Sequence, residues 1–172
     1  MRRIDKIFWI PLVLFVMFCG TSSVQAQANA YKLQSLFIYN FIKNIKWENV
    51  DQEFVIGVYG NLEAYNEVVA NLTAKNVNGV KFKILTVNNA ADAKKCHVVY
   101  LPKSNRTKVV SMISQVDEPN ILLVTEEDLI SEGASISFEL KDSKLNFIIN
   151  KQKTEEKGLK ISSSLLAMGT VI

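Results

Sequence analysis

Residues 97–124 read HVVYLPKSNRTKVVSMISQVDEPNILLV. His97 to Leu101 is a short apolar run stopped by Pro102, which has no N–H to give to a strand ladder. A polar loop, Lys103 to Asn105, leads into a segment where Val109, Met112, Ile113 and Val116 share one side of a helix. Pro119 closes that segment, and Asn120 to Val124 is a second apolar run. Strands that are buried on both faces do not alternate apolar with polar, so two such runs flanking an amphipathic helix describe a parallel β-α-β unit.

The same rhythm continues on either side. Phe54 to Gly60 is another nearly continuous apolar strand, and Asn61 can cap the helix after it. Leu62, Tyr65, Val69 and Leu72 recur there at helical spacing and are its predicted buried face. Asn76 to Gly79 makes a turn. Val80 to Val87 starts with strict alternation, which predicts a strand wet on one face and near an edge. Asn89 caps a short segment, Ala90 to Lys95. Thr125-Glu126-Glu127-Asp128 has capping-box spacing and predicts a one- or two-turn helix ended by Gly133.

The pattern then changes. Ala134 to Leu140 alternates, Lys141 to Ser143 is polar, and Leu145 to Asn150 resumes, which predicts an antiparallel hairpin. Lys151 to Lys157 reads as a short charged helix with Gly158 as its left-handed stop. Ser162 or Ser163 caps a last helix carrying Leu165, Leu166 and Met168. The predicted fold class is α/β: a single three-layer domain whose mostly parallel, twisted sheet has about six strands. Helices cover both faces, a C-terminal antiparallel hairpin sits at one edge, and an N-terminal helix precedes the first strand.

That N-terminal helix is Tyr31 to Trp47, YKLQSLFIYNFIKNIKW. Phe37, Phe41 and Ile45 form one row with Ile38 and Ile42 beside it, while Leu33, Leu36 and Trp47 fall on the far side next to Asn40 and Asn44. A helix covering one sheet face needs a single apolar stripe. The second face therefore has two readings: a core helix whose amides are satisfied by nearby backbone, or a surface that meets a partner.

Ahead of this helix, Arg2, Arg3 and Lys6 precede an uncharged run from Ile7 to Cys19. Val24-Gln25-Ala26 then supplies small residues for cleavage. Residues 1–26 are thus expected to be a secretory signal, leaving residues 27–172 as one domain in the periplasm, with no membrane insertion after cleavage. The run is shorter than the approximately 20 residues that span a bilayer. Lysine and arginine number 20 against 17 aspartate and glutamate. Part of that excess lies in the signal, so no preference for nucleic acid follows. Loss of the signal removes Cys19 and leaves Cys96 without an intramolecular partner; it is predicted free and buried.

Catalytic groupings are sparse, and the chain reads as a non-enzyme. The single histidine, His97, is adjacent to Cys96, and neighbouring strand residues point to opposite faces, so they form no thiolate–imidazole pair. One His and one Cys are too few for a metal site, and no cofactor is expected. Gly57-Val58-Tyr59-Gly60 lacks the G-x-G-x-x-G spacing of a dinucleotide turn. Glu126, Glu127 and Asp128 suit a helix start electrostatically. A small ligand would by default bind at the carboxyl edge of the sheet, around Gly60-Asn61, Pro102 to Asn105 and Thr125-Glu126.

Three blocks carry a family resemblance. The first is Tyr39-Asn40-Phe41-Ile42-Lys43 with Trp47, following Tyr31 and Phe37. The second is Cys96-His97-Val98-Val99-Tyr100-Leu101. The third is Phe147-Ile148-Ile149-Asn150 with Gly158-Leu159-Lys160-Ile161-Ser162-Ser163 and Leu165-Leu166. Together they resemble the YfiR-like (HmsC-like) family of bacterial periplasmic regulators. The resemblance implies a periplasmic protein that binds and represses the periplasmic part of an inner-membrane diguanylate cyclase, so controlling cyclic-di-GMP, exopolysaccharide and biofilm. It also implies α/β domains able to form homodimers and, in the family, redox control through disulfides. That control does not transfer here, because the mature chain has no second cysteine. Ser164 stands where the family often has arginine, and Glu48 where proline is frequent.

The leading expectation is a regulator of a membrane signalling protein. The alternative is a periplasmic small-solute-binding or sensory module for a sensor kinase or transporter. The expected partner-binding residues are Tyr39, Asn40, Asn44, Trp47, Leu165 and Met168, with no catalytic, cofactor-binding or metal-binding residue.

Overall fold

A computed structural model describes residues 21–172 apart from Asn49 and Asp51, with side chains described from residue 26 onward. Of the expected signal segment, residues 1–20, Cys19 included, lie outside the described residues, and 21–26 are the first turns of a helix. No described helix is long and apolar enough to cross a membrane.

Helix α1 (Thr21–Asn44) comes first, then the two-residue strand β1 (Ile45–Lys46). The α/β core follows as β2 (Glu53–Tyr59), α2 (Leu62–Leu72), β3 (Asn76–Val77), β4 (Val80–Val87), α3 (Ala90–Ala93), β5 (Val98–Leu101), α4 (Arg106–Gln115) and β6 (Leu122–Thr125). A 3-10 turn (Ile130–Glu132) leads to β7 (Ile136–Lys141) and β8 (Lys144–Ile149). The chain closes with α5 (Lys151–Glu156), β9 (Lys160–Ile161), α6 (Ser163–Leu166) and β10 (Thr170–Val171).

The main sheet runs β10-β8-β7-β6-β5-β2-β4-β3. The five strands from β7 to β4 are mutually parallel. Six strands are long enough to bury side chains, and β3 and β10 are two-residue edges. The predicted α/β class with its mixed, mostly parallel sheet and leading helix is therefore the observed one. Successive residues of β5 and β6 divide between two cores. Val98, Tyr100, Leu122 and Val124 face a core shared with Ile38, Phe41 and Ile42 of α1 and Ala64, Val68 and Leu72 of α2. Val99, Leu101 and Leu123 face a second core with Ala93 of α3 and Val109, Met112 and Ile113 of α4. Period-two alternation within fully buried strands builds both layers.

Several local expectations are corrected. The helix from Tyr31 ends at Asn44, not Trp47. The backbone of Ile45 and Lys46 pairs antiparallel with Ile161 and Lys160, and Ser162 N–H donates to the Asn44 carbonyl at 2.9 Å. A long-range ladder thus takes the chain out of the helix one turn early. On α2 the buried row is Ala64, Val68 and Leu72, whereas Leu62 is 74% exposed. Leu72 is buried as expected, and the rest of the buried row is the i, i+4 set Ala64 and Val68 in place of Leu62, Tyr65 and Val69.

The segment after β6 forms no capped helix. Thr125 is still in the strand, its hydroxyl donates to the Glu127 carbonyl at 2.8 Å, and it lies 2.7 Å from Ser137 Oγ. The capping oxygen is spent on the sheet, and only the 3-10 turn forms before Gly133, at φ 104°. The hairpin exists, but its first strand joins the parallel sheet, and of its two strands β8 alone runs antiparallel to that set. Asp142 and Ser143 make its turn with φ of 51° and 59°, the left-handed pair that a two-residue hairpin turn needs.

Candidate functional site

The six expected contact residues do not form one surface. Tyr39 is half-buried, edge-on to Phe82 with ring centroids 6.0 Å apart, and Lys75 Nζ lies 4.9 Å from its ring centre. Trp47 is buried, standing perpendicular to Phe54 at 4.9 Å, with its indole N–H 3.4 Å from the His97 carbonyl. Leu165 is fully buried. Trp47 and Leu165 are therefore core residues in this chain: Trp47 packs on β2 and the start of β5, and Leu165 is buried where the C-terminal segment folds back over α1.

The other three come together. Asn44 donates through Nδ2 to the Asn40 carbonyl and to Asn40 Oδ1, both at 2.9 Å, and its Oδ1 accepts from Ser162 Oγ at 3.2 Å. Asn40 Nδ2 points at Met168 Sδ, 3.6 Å away. The two amides are thus engaged by neighbouring backbone and by α6, and the surface above them stays accessible. Along the same outward side of α1, Leu33 and Leu36 are 45% and 40% exposed, and Met168 is 50% exposed. α1 has no acidic residue from Thr21 to Asn44, so this strip is apolar with lysines beside it.

The carboxyl edge of the sheet, where a doubly wound fold offers a ligand crevice, is roofed by the first half of α1. Tyr31 Oη accepts from Gln27 Nε2 at 2.9 Å and from Asn61 Nδ2 at 3.1 Å. Tyr100, deep in the core, donates its hydroxyl to Gln34 Oε1. Burial pushes both phenols above their ordinary range, and the nearby Glu126 charge adds to the effect. Glu126 itself accepts from Lys103 N–H at 2.6 Å. The polar groups at this edge are spent on one another.

An open groove lies at the opposite end of the sheet, near the amino ends of β2 and β4. It holds about 650 Å³ between the last turn of α1, β1, β9 and the β3–β4 turn. Trp47, Phe54 and Val80 line it, with Asn44 and Ser162 on its wall and Lys43, Lys46 and Lys160 also around it. Sequence reasoning missed this groove, since it lies between the α1–β1 junction, the β3–β4 turn and β9, three parts far apart in the chain.

Cys96 and His97 face opposite ways, as adjacent residues must at a strand start. Cys96 is buried in the second core, Sγ 3.5 Å from the Asp92 carbonyl, and burial followed by the Asp92 charge pushes its thiol up to about 11. His97 stacks on Phe54 at 4.7 Å and accepts through Nδ1 from Val55 N–H at 3.0 Å. It is a structural clamp between β2 and β5. Among the described residues no three His, Cys, Asp or Glu gather as metal ligands.

Among solved structures the chain is similar to a conserved domain protein from Vibrio cholerae O1 biovar El Tor. The two are 18% identical with a TM-score of 0.56, covering 82% of this chain and 59% of that one. It is also similar to an ABC domain from Streptococcus pneumonia solved in complex with L-Trp, at 15% identity and a TM-score of 0.52, over 83% of this chain and 60% of that one. At such identities the likeness is one of fold, and the chain spans about three fifths of either structure. No curated protein matches. Residues 31–170, from Tyr31 at the roof of the sheet to Thr170 in its last edge strand, match the model of one family. The chain belongs to the YfiR/HmsC-like family.

Proposed function

We propose that this chain is a periplasmic, non-enzymatic regulator that binds the periplasmic part of an inner-membrane signalling enzyme and represses it, the enzyme being a diguanylate cyclase. Family membership over residues 31–170 carries this reading. The structure supports it with the outward strip of α1, which the fold leaves without an intrachain cover. Leu33, Leu36 and Met168 present apolar side chains there beside Asn40. These four residues are the proposed contact surface. Tyr39 flanks it, Asn44 supports it from below, and Trp47 and Leu165 hold its scaffold.

The test is a photo-crosslinking residue placed at Leu36 or Met168 in the exported full chain, with cyclic-di-GMP measured on deletion. The expected result is a crosslink to an inner-membrane protein with a periplasmic domain, and a rise in cyclic-di-GMP without the regulator. Unchanged cyclic-di-GMP would remove the cyclase and leave a sensor kinase or transporter as the partner. No crosslink from either position would remove the surface.

A further inference from the structure

We propose that the groove at the C-terminal foot of α1 binds a small anionic amphiphile. Its acidic head would be held by Lys43, Lys46 and Lys160, and its apolar body would lie against the half-buried Val50, Val77, Val80 and Ile161, over the edge of the Trp47 ring. The volume, about 650 Å³, falls within the range of roughly 300–1,000 Å³ typical of small-ligand sites. Such sites combine an apolar lining with a few convergent polar groups, and both parts are present here.

The charge pattern selects the ligand. Three lysines and no carboxylate line the groove among the described residues. Lys160 reaches Glu48 at 3.7 Å, but both side chains are exposed, and such a pair holds its partners weakly. Lys43 Nζ lies 5.6 Å from the centre of the Tyr39 ring. Lys46 has no acidic partner among the described residues. Like charges gathered around a concave, low-dielectric wall focus the potential and raise the local concentration of anions.

The lining selects the rest of the molecule. An inorganic anion would engage the lysines and leave the half-buried Val50, Val77, Val80 and Ile161 uncovered. An uncharged hydrocarbon would leave three ammonium groups without a counter-ion. A head-and-tail anion satisfies both, and its head is held by the lysines alone, because the Asn44 amide and the Ser162 hydroxyl on the wall already give their protons to Asn40 and to Asn44 Oδ1. Lys43 and Lys46 sit at the junction of α1 and β1, and Lys160 on β9 is brought to them by the Ile45–Ile161 and Lys46–Lys160 pairing and the Ser162–Asn44 hydrogen bonds, so the site exists only in the folded chain. This inference is independent of the partner-binding strip.

Isothermal titration of sodium decanoate into the full chain tests it, with tryptophan emission recorded in parallel. The sequence has two tryptophans, Trp9 and Trp47, and Trp47→Phe assigns the emission change to the groove. The expected result is saturable one-site binding that shifts Trp47 emission. It should weaken roughly tenfold or more in Lys43→Gln/Lys46→Gln/Lys160→Gln, the sum of three exposed ion pairs, and decyltrimethylammonium should not bind. The lysines are exposed, so the triple variant should melt with the parent; if it does not, Lys46→Glu alone serves. No saturable binding, equal binding of the two amphiphiles, or undiminished binding by the lysine variants would overturn the proposal. So would binding only to vesicles containing phosphatidylglycerol, which would make the lysines a membrane-facing patch.

Discussion

Gly57 in β2 lies directly beneath Cys96. A Cβ built on Gly57 would stand 2.7 Å from Cys96 Sγ and 2.5 Å from Val87 Cγ2. Both distances are shorter than real side chains tolerate, and both neighbours are packed into the second core. The absence of a side chain at this position lets α3 and the start of β5 close over β2.

Gly57→Ala should therefore lower stability by about 1–3 kcal/mol through overpacking. Adding Cys96→Ala removes one of the two clashes and should recover part of that loss. Urea denaturation of the single and double variants measures the coupling. Equal losses in both would mean that the strand shifts instead of the side chains.

The raised Cys96 thiol makes a pH statement. Its folded value, about 11, lies above its ordinary value of 9.0. The folded state then holds the proton more tightly, so this contribution is complete below pH 9 and is lost as pH rises towards 11. Thiol reagents should react slowly with the native protein at pH 8 and at the ordinary rate once it is unfolded. Fast native reaction would contradict the burial.

Trp47 and Met168 should separate stability from partner binding. Trp47→Ala removes a buried ring packed on Phe54 and should cost about 3–5 kcal/mol. Met168→Ala, at an exposed position, should stay within about 0.5 kcal/mol and weaken capture of the membrane partner. Thermal melts read the first effect and co-purification the second.

Lys157 and Asp117 form an uneven pair. Lys157 Nζ is buried 3.1 Å from Asp117 Oδ1, while Asp117 is half exposed and also takes Lys153 at 3.0 Å. Burial lowers the Lys157 pKa despite its partner, and the two lysines lower that of Asp117. Solvent screening limits the gain from so exposed a carboxylate, so Asp117→Asn should cost about 1 kcal/mol, and Lys157→Met on that background should restore it. The Asp117 contribution is present above pH 3.8 and lost as pH falls through its lowered folded value. A denaturant series from pH 6 to pH 2 checks the sign.

Much of the fold was legible because strands and helices announce themselves through neighbours in sequence. The runs around Val99 and Leu123 and the caps at Asn61, Asn89 and Ser162 each rest on residues within four positions of one another. The candidate site was less legible. Asn40, Asn44 and Met168 were picked out together, but Trp47 is covered by Phe54 of β2 and Leu165 by the fold-back of the C-terminal segment, contacts distant in sequence. Helical periodicity does not say which stripe wins when α6 covers one of them, and it placed Leu62 inside a helix face that Ala64 occupies.

The amino-acid sequence by itself determined the order of the six long strands and the helices between them, the mostly parallel α/β class and the family, because these depend on periodicity, caps and local blocks. Tertiary structure decided where α1 stops, which of its faces is covered and where an open groove remains. Each of these depends on Ile45 and Lys46 pairing with Ile161 and Lys160, more than a hundred residues away. Backbone hydrogen bonds of that kind carry no side-chain pattern for a sequence to display.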